Sequence, residues 1–430
     1  MAGDGRSLPL PEVGWVRQAV VGPVVDDVAA EVTAGINTTD LATRVKPGQS
    51  VAITGGSRGI TDIAVVLRTV AAHLRSLGAH PFVVPAMGSH GGGTAEGQVR
   101  VLESCGVSES TVGCPVRSSM EVVELGRCAL GFRLWQDRLA AEADHLVVCN
   151  RVKPHTMFAG PVESGLAKML LVGLGKQRGA AEVHRAVMEH GWEKVITVAT
   201  PEVIERSALA CGVAVVERSD ERTARVAVLE PHEWTTQEPA LLDQAREWMP
   251  RVPFPDVDLL LLDRIGKNIS GAGLDTNVVG RKANAHPPPW VPHGGIRCIA
   301  IRGLTTETQG NAVGVGLAEL ARSRVLREMD VASTRLNALT AGDLAPAMLP
   351  LDFETDREIL DVAMGQLGLR EPSRARLVWA RNTLELTETL CSAALLEDAV
   401  QHCLEVIGEP FALPFDEVGN LPDDLPPILT

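Results

Sequence analysis

The chain has 430 residues, 45% of them hydrophobic, more than a single core usually supports, so two domains are expected. Its net charge of -14, without a basic run or aromatic-basic stripe, argues against nucleic acid or an anionic membrane as a partner. Residues 1–11 carry no apolar core of signal-peptide length, and runs such as Leu259 to Leu262 are far too short to span a bilayer; a cytoplasmic protein is expected.

In chain order, the first half alternates short β-branched runs with longer helical patterns, the signature of βαβ units and a largely parallel sheet. Ser50 to Thr54 reads as a buried strand, and Asp62 to Gly78 as a helix with Ile63, Val66, Leu67, Val70, Leu74 and Leu77 at helical spacing. Pro81 to Pro85 is the next strand, and Thr94 is placed to cap a helix that runs to Ser104. Asp144 to Asn150 reads as a further strand, and Glu163 to Leu174 as helical. The reactive side chains fall in the loops after strands, where open α/β sheets bind ligands.

Three prolines between Trp248 and Asp258 stop the preceding helix and mark a boundary. A second α/β unit follows: a strand from Asp258 to Asp263, a Gly-rich segment from Gly266 to Gly280, a strand from Ile296 to Arg302, and helices near 312–328, 355–368 and 386–405. From Pro410 the Pro-rich end has no element of its own. The expected fold class is therefore α/β, with two α/β domains and a cofactor and substrate cleft between them. Residues 1–252 form the cofactor-binding and catalytic domain, 257–405 the second domain, and 406–430 a tail packing back on the first.

The run V-A-I-T-G-G-S-R-G-I-T-D at 51–62 resembles the dinucleotide turn of short-chain dehydrogenases. Those enzymes move the hydroxyl proton with a Tyr, and this chain has no Tyr. The turn also arrives some fifty residues into the chain, late for a motif that normally follows the first strand. A phosphate-holding or plain backbone-turn role for the loop stays open. The eight cysteines are scattered singly, without a C-x-x-C pair or a Cys-His cluster at zinc spacing, and read as reduced and largely structural.

Four segments carry reactive side chains: G-G-S-R-G with Arg58, M-G-S-H-G-G-G-T with His90, N-R-V-K-P-H-T with His155, and S-G-L-A-K-M followed by A-A-E-V-H-R, with Lys168 and His184. A lone loop His is usually a solvated or hydrogen-bonded side chain, and a helix Lys usually a surface one. Three His with an interposed Lys, two of the segments in Gly-rich turns, make that bland reading harder to sustain.

This ordering resembles the lactate racemase family that uses a nickel-pincer nucleotide. That family has an Arg after an early strand, a His in a G-[ST]-H turn about thirty residues on, a His in a P-H element, then a Lys and a His sixteen residues apart. Here Arg58, His90 and His155 precede Lys168 and His184, which keep the sixteen-residue spacing. The resemblance covers the first domain best and weakens beyond about residue 250. It implies that Lys168 is tethered to the cofactor through a thioamide and that His184 supplies an imidazole to nickel, with the cofactor's two sulfurs and carbon completing a square-planar site.

It further implies that His90 and His155 form the acid-base pair and that Arg58 clamps the substrate carboxylate. One His removes the hydroxyl proton as a hydride passes from the substrate carbon to the cofactor; the planar keto acid then takes the hydride back on either face. Gly56 and Ser57, in the same loop as Arg58, are placed to hold the cofactor phosphate, and Lys267 to complete the substrate pocket. Asp275 and Asn277 are weaker candidates for contacting substrate hydroxyls. The expected partners are a small 2-hydroxy acid or sugar acid and the enzymes that make the cofactor. Gly55 and Gly59 stand where lactate racemases have an acidic residue and a Pro, and a Gly triplet follows His90, so a larger acid than lactate is an equal expectation. A cofactor- or nucleotide-binding protein without racemase activity is the alternative; a zinc hydrolase finds no H-x-x-H or H-x-x-x-H spacing.

Overall fold

The computed structural model describes residues 8–57, 59–282 and 295–428. It divides into two compact units, residues 21–249 and residues 1–20 with 250–430.

In the first unit, alternation along the strands decides the layers. Ala52, Phe82, Val84 and Val148 enter one core, while Val51, Ile53, Val83 and Val147 enter another. Since neighbouring strand residues face opposite ways, the sheet is covered on both faces. Its strand order is His80–Pro85, Ser50–Gly55, His145–Arg151, Leu209–Glu217 and Thr223–Leu229; the first four are parallel and the last antiparallel. The helix Ile63–Ser76 buries Val66, Leu67, Val70 and Leu74 at the expected spacing. Thr94 caps Ala95–Ser104, its side chain accepting from Gly97 N.

The second unit holds an eight-stranded sheet. Leu351–Phe353, Leu320–Arg322, Gly295–Ile301, Asp256–Leu262 and Leu377–Ala380 run parallel. Glu388–Ser392, Val13–Arg17 and Glu405–Phe411 continue it by antiparallel pairing.

Residues 8–20 belong with the second unit, because Val13–Arg17 pairs with Glu388–Ser392 and Glu405–Phe411. The expected helix at 386–405 is mainly strand and short turns, since Glu388–Ser392 fills the place between Leu377–Ala380 and Val13–Arg17. Near 312–328 only Ser323–Glu328 is α-helical. The tail packs on the second unit, not the first. Leu413, Leu421 and Leu425 enter that unit's core, and fully buried Arg302 donates to the carbonyls of Leu421 and Pro422 while pairing with Asp263 and Asp356. Paired charges at this depth tolerate burial because each is hydrogen-bonded. No helix among the described residues is long and apolar enough to cross a membrane.

Candidate functional site

In the five-stranded sheet, His80–Pro85 lies on one side of Ser50–Gly55 and His145–Arg151 on the other. The order reverses there, and the crevice beyond the strand ends at such a point is where open α/β sheets take ligands. Three loops leave these ends: Gly56 and Ser57, residues 86–93, and residues 152–165.

The second loop carries His90. Gly88, Gly91, Gly92 and Gly93 all have positive φ, and a Cβ on Gly91 would meet the Gly97 carbonyl carbon at 2.5 Å, so glycine is required at that position by both torsion and space. His90 is exposed, with Nδ1 2.5 Å from Ser57 Oγ. Beneath it, Gln98 Nε2 donates to Gly88 O at 2.8 Å and to His90 O at 3.4 Å. Fully buried Lys176 donates to Pro85 O and Gln98 Oε1 at 2.5 and 2.9 Å and is ion-paired with Asp137 at 3.0 Å. Two acceptors and an opposite charge at the ammonium group are what keep a buried Lys tolerable. Burial pulls its pKa down, with Asp137 opposing.

The third loop carries His155 and is pinned at both ends. Lys153 and Ser164 exchange backbone hydrogen bonds, and Asn150 Nδ2 donates to Gly165 O at 2.8 Å. The backbone N–H of His155 donates to Glu163 Oε2 at 2.7 Å, and Glu163 is paired with Arg246 at 2.9 Å. Within the loop, His155 Nδ1 accepts from the N–H groups of Met157 and Phe158, each at 3.1 Å. An amide N–H only donates, so the proton of this imidazole sits on Nε2.

Phe158 gathers the remaining residues. Its ring stacks on His155 at 4.5 Å and on Trp192 at 4.4 Å, meets His184 edge-on at 6.1 Å, and lies 6.0 Å from Lys168 Nζ. Trp192 is fixed in turn by Nε1 donating to Val162 O at 2.7 Å. The expected helix at Glu163 to Leu174 is a single turn, Leu166–Lys168, followed by a π-turn, Met169–Gly173, a feature frequent at functional sites. Leu166, Met169 and Leu170 point into the core. Lys168 is half-buried, and the apolar surface it meets is Phe158 rather than its sequence neighbours.

Buried Glu238, on Trp234–Trp248, holds the start of this turn by accepting from Ala167 N at 3.1 Å. A Cβ on Gly165 would fall 2.1 Å from Glu238 Oε1; glycine there lets the carboxyl reach the backbone. Burial pushes the Glu238 carboxyl up to about 7, against the pull of the Ala167 and Leu166 N–H groups. The π-turn also touches the other two loops: Gly88 N donates to Gly173 O at 3.0 Å, and a Cβ on Gly56 would sit 3.0 Å from Met169 Cε.

The structure thus joins His155, Lys168 and His184 around one ring, and His90 with Ser57 beside them through Gly56, Gly88 and the π-turn. Arg58 lies outside the described residues. Lys267 belongs to the other unit, where its Nζ donates to Gly271 O at 2.5 Å; Asp275 and Asn277 are in that unit as well and bond to each other. Phe158, Trp192, Glu163, Gln98, Lys176 and Glu238 escaped the sequence reading. Phe158 alone left a signal there, as one of seven Phe in a chain with 3% aromatics, three residues after a candidate His.

Burial, reinforced by the Lys168 charge, holds His184 below the usual imidazole range, leaving the neutral ring that a metal requires. Burial also pushes the thiols of Cys211, Cys298 and Cys391 up to about 12, away from the thiolate form that binds metals. Among the described residues no three His, Cys, Asp or Glu converge to hold a metal on their own. A metal at His184 would take its other donors from a cofactor, and an amine beside that imidazole fits a tethered one.

Residues 15–195 match the family model described as the lactate racemase N-terminal domain. The fold is similar to the lactate racemase apoprotein from Thermoanaerobacterium thermosaccharolyticum, with 13% identity over 86% of this chain and 94% of that one and a TM-score of 0.54. A protein from Thermotoga maritima aligns at 12% identity over 66% of this chain and 72% of its own, with a TM-score of 0.46. No curated protein matches. Residues 15–195 are thus similar to the N-terminal domain of lactate racemase, and the similarity of fold extends over most of the chain.

Proposed function

We propose that this protein is a racemase or epimerase of a small 2-hydroxy acid or sugar acid that works with a nickel-pincer nucleotide. The observation carrying this reading is that Lys168 and His184 meet the same Phe158 ring within the family domain. Lys168 would hold the nucleotide covalently and His184 would give nickel its imidazole; the Gly56 and Ser57 backbone would face its phosphate. When bound, that group supplies a reversible acceptor for the hydride of the substrate carbon.

The protein's own residues then bind, orient and move protons. Arg58 would fix the substrate carboxylate, for which a guanidinium fork is matched. His90 can change tautomer without losing its neighbour, because the Ser57 hydroxyl both donates and accepts; it is the residue suited to take the hydroxyl proton and return it. His155, with Nδ1 held by two N–H groups, offers an Nε2–H to the substrate oxygen. It serves as a base only after releasing that backbone.

The test is chiral chromatography of unlabelled products from single enantiomers of lactate, larger 2-hydroxy acids and sugar acids. The protein is produced together with the cofactor-making enzymes. Conversion of one pure stereoisomer to a mixture is expected; unchanged stereochemistry across the panel would refute the assignment.

A further inference from the structure

The helix Val331–Ala341 is built inside out. It buries Thr334 and Ala338 and turns Leu336 and Leu339 to solvent, at 67% and 63% exposure. A helix with one apolar stripe lays that stripe on its own core. One that faces its core with Thr and Ala and carries leucine outside is arranged to be covered on its second side.

The surface continues through the following loop, where Leu344, Met348 and Leu349 are also more than half exposed, to Leu351 at 68%. Leu351 begins Leu351–Phe353, the terminal strand of the eight-stranded sheet, which pairs with Leu320–Arg322 on one side. From Val331 to Phe353 the sequence holds three charged residues, Arg335, Asp343 and Asp352.

We propose that this face is where two copies of the chain associate. Six large side chains at these exposures present roughly 700 Å², close to the ~800 Å² per partner of a standard stable interface and beyond the usual patch of a monomer. Depletion of charge with retention of leucine and methionine is the composition of an interface core. At a net charge of -14 per chain, two copies repel, and a charge-poor face is where they meet at least electrostatic cost. Its few charges are of both signs, as a self-complementary surface needs. This inference does not depend on the proposed chemistry.

Sedimentation equilibrium or light scattering on the full chain at micromolar concentration tests it. A mass twice the 45.7 kDa of the chain is expected. Leu336→Asp with Leu339→Asp, and separately Leu349→Asp, should return it to a single chain with an unchanged circular dichroism spectrum, since exposed positions tolerate charge. A wild-type protein that stays at one chain mass, as it would if a different partner covered this face, overturns the proposal. So does a dimer that survives both sets of substitutions.

Discussion

The loop at 86–93 and the loop at 152–165 each present a histidine at the strand ends, yet they hold it in opposite ways. His90 stands exposed among left-handed glycines and bonds to a hydroxyl. His155 is stacked on Phe158, anchored through its backbone to Glu163 and fixed in one tautomer by two amides. Two imidazoles that look interchangeable in sequence therefore differ in what they can do with a proton. Identity sets the pKa range, and the neighbours' donor or acceptor character sets the direction of transfer.

The comparison can be broken first at the histidines. His90→Ala and His155→Ala should each lower the inversion rate about 10²- to 10⁴-fold while leaving the cofactor mass in place, as followed by chiral chromatography and intact mass. Nitrogen-15 spectra should show the His155 proton on Nε2 and both tautomers at His90. Equal spectra would remove the distinction.

Phe158→Ala strikes the wall shared by His155, Trp192 and His184. Loss of such a buried ring should cost about 3–5 kcal/mol in thermal or urea unfolding, whereas Gly92→Ala in the other loop, which meets open space, should act only through the strain of its positive φ. A Phe158→Ala protein as stable as wild type would show that the ring does not organise the site.

Glu238 gives a pH signature to the rigid side. Its folded-state pKa is raised by burial from 4.5 to about 7, so the stability it contributes is fully present below 4.5 and lost as pH rises through 7. Glu238→Gln abolishes that loss, and its melting temperature relative to wild type should be higher at the alkaline end of this window than at the acid end. A constant offset would contradict the raised pKa. The smallest effect belongs to Ser57→Ala, which should slow inversion up to about tenfold, the worth of one hydrogen bond.

Much of the first unit was legible in sequence because its signals are local. The strand at Ser50–Gly55, the helix at Ile63–Ser76 and the Thr94 cap follow from periodicity and side-chain chemistry. What failed was non-local. Val13–Arg17 pairs with strands more than 370 residues away, and no pattern within residues 1–20 announces which sheet they join. The strand at Glu388–Ser392 carried a helical spacing that pairing overrode. In the candidate site, order and spacing singled out His155, Lys168 and His184, which meet one Phe158 ring. Their supports, Glu238 under Lys168 and Lys176 under the His90 loop, act across tertiary distances and have no motif.

The claim on which the rest stands is that Lys168 and His184 serve one cofactor. Intact-mass spectrometry with peptide mapping and nickel analysis, on the chain produced together with the cofactor-making enzymes, addresses it directly. The account predicts added mass on Lys168 with bound nickel, no added mass in Lys168→Ala, and loss of nickel in His184→Ala. An unmodified wild-type chain, or a modification mapped to another residue, would contradict it.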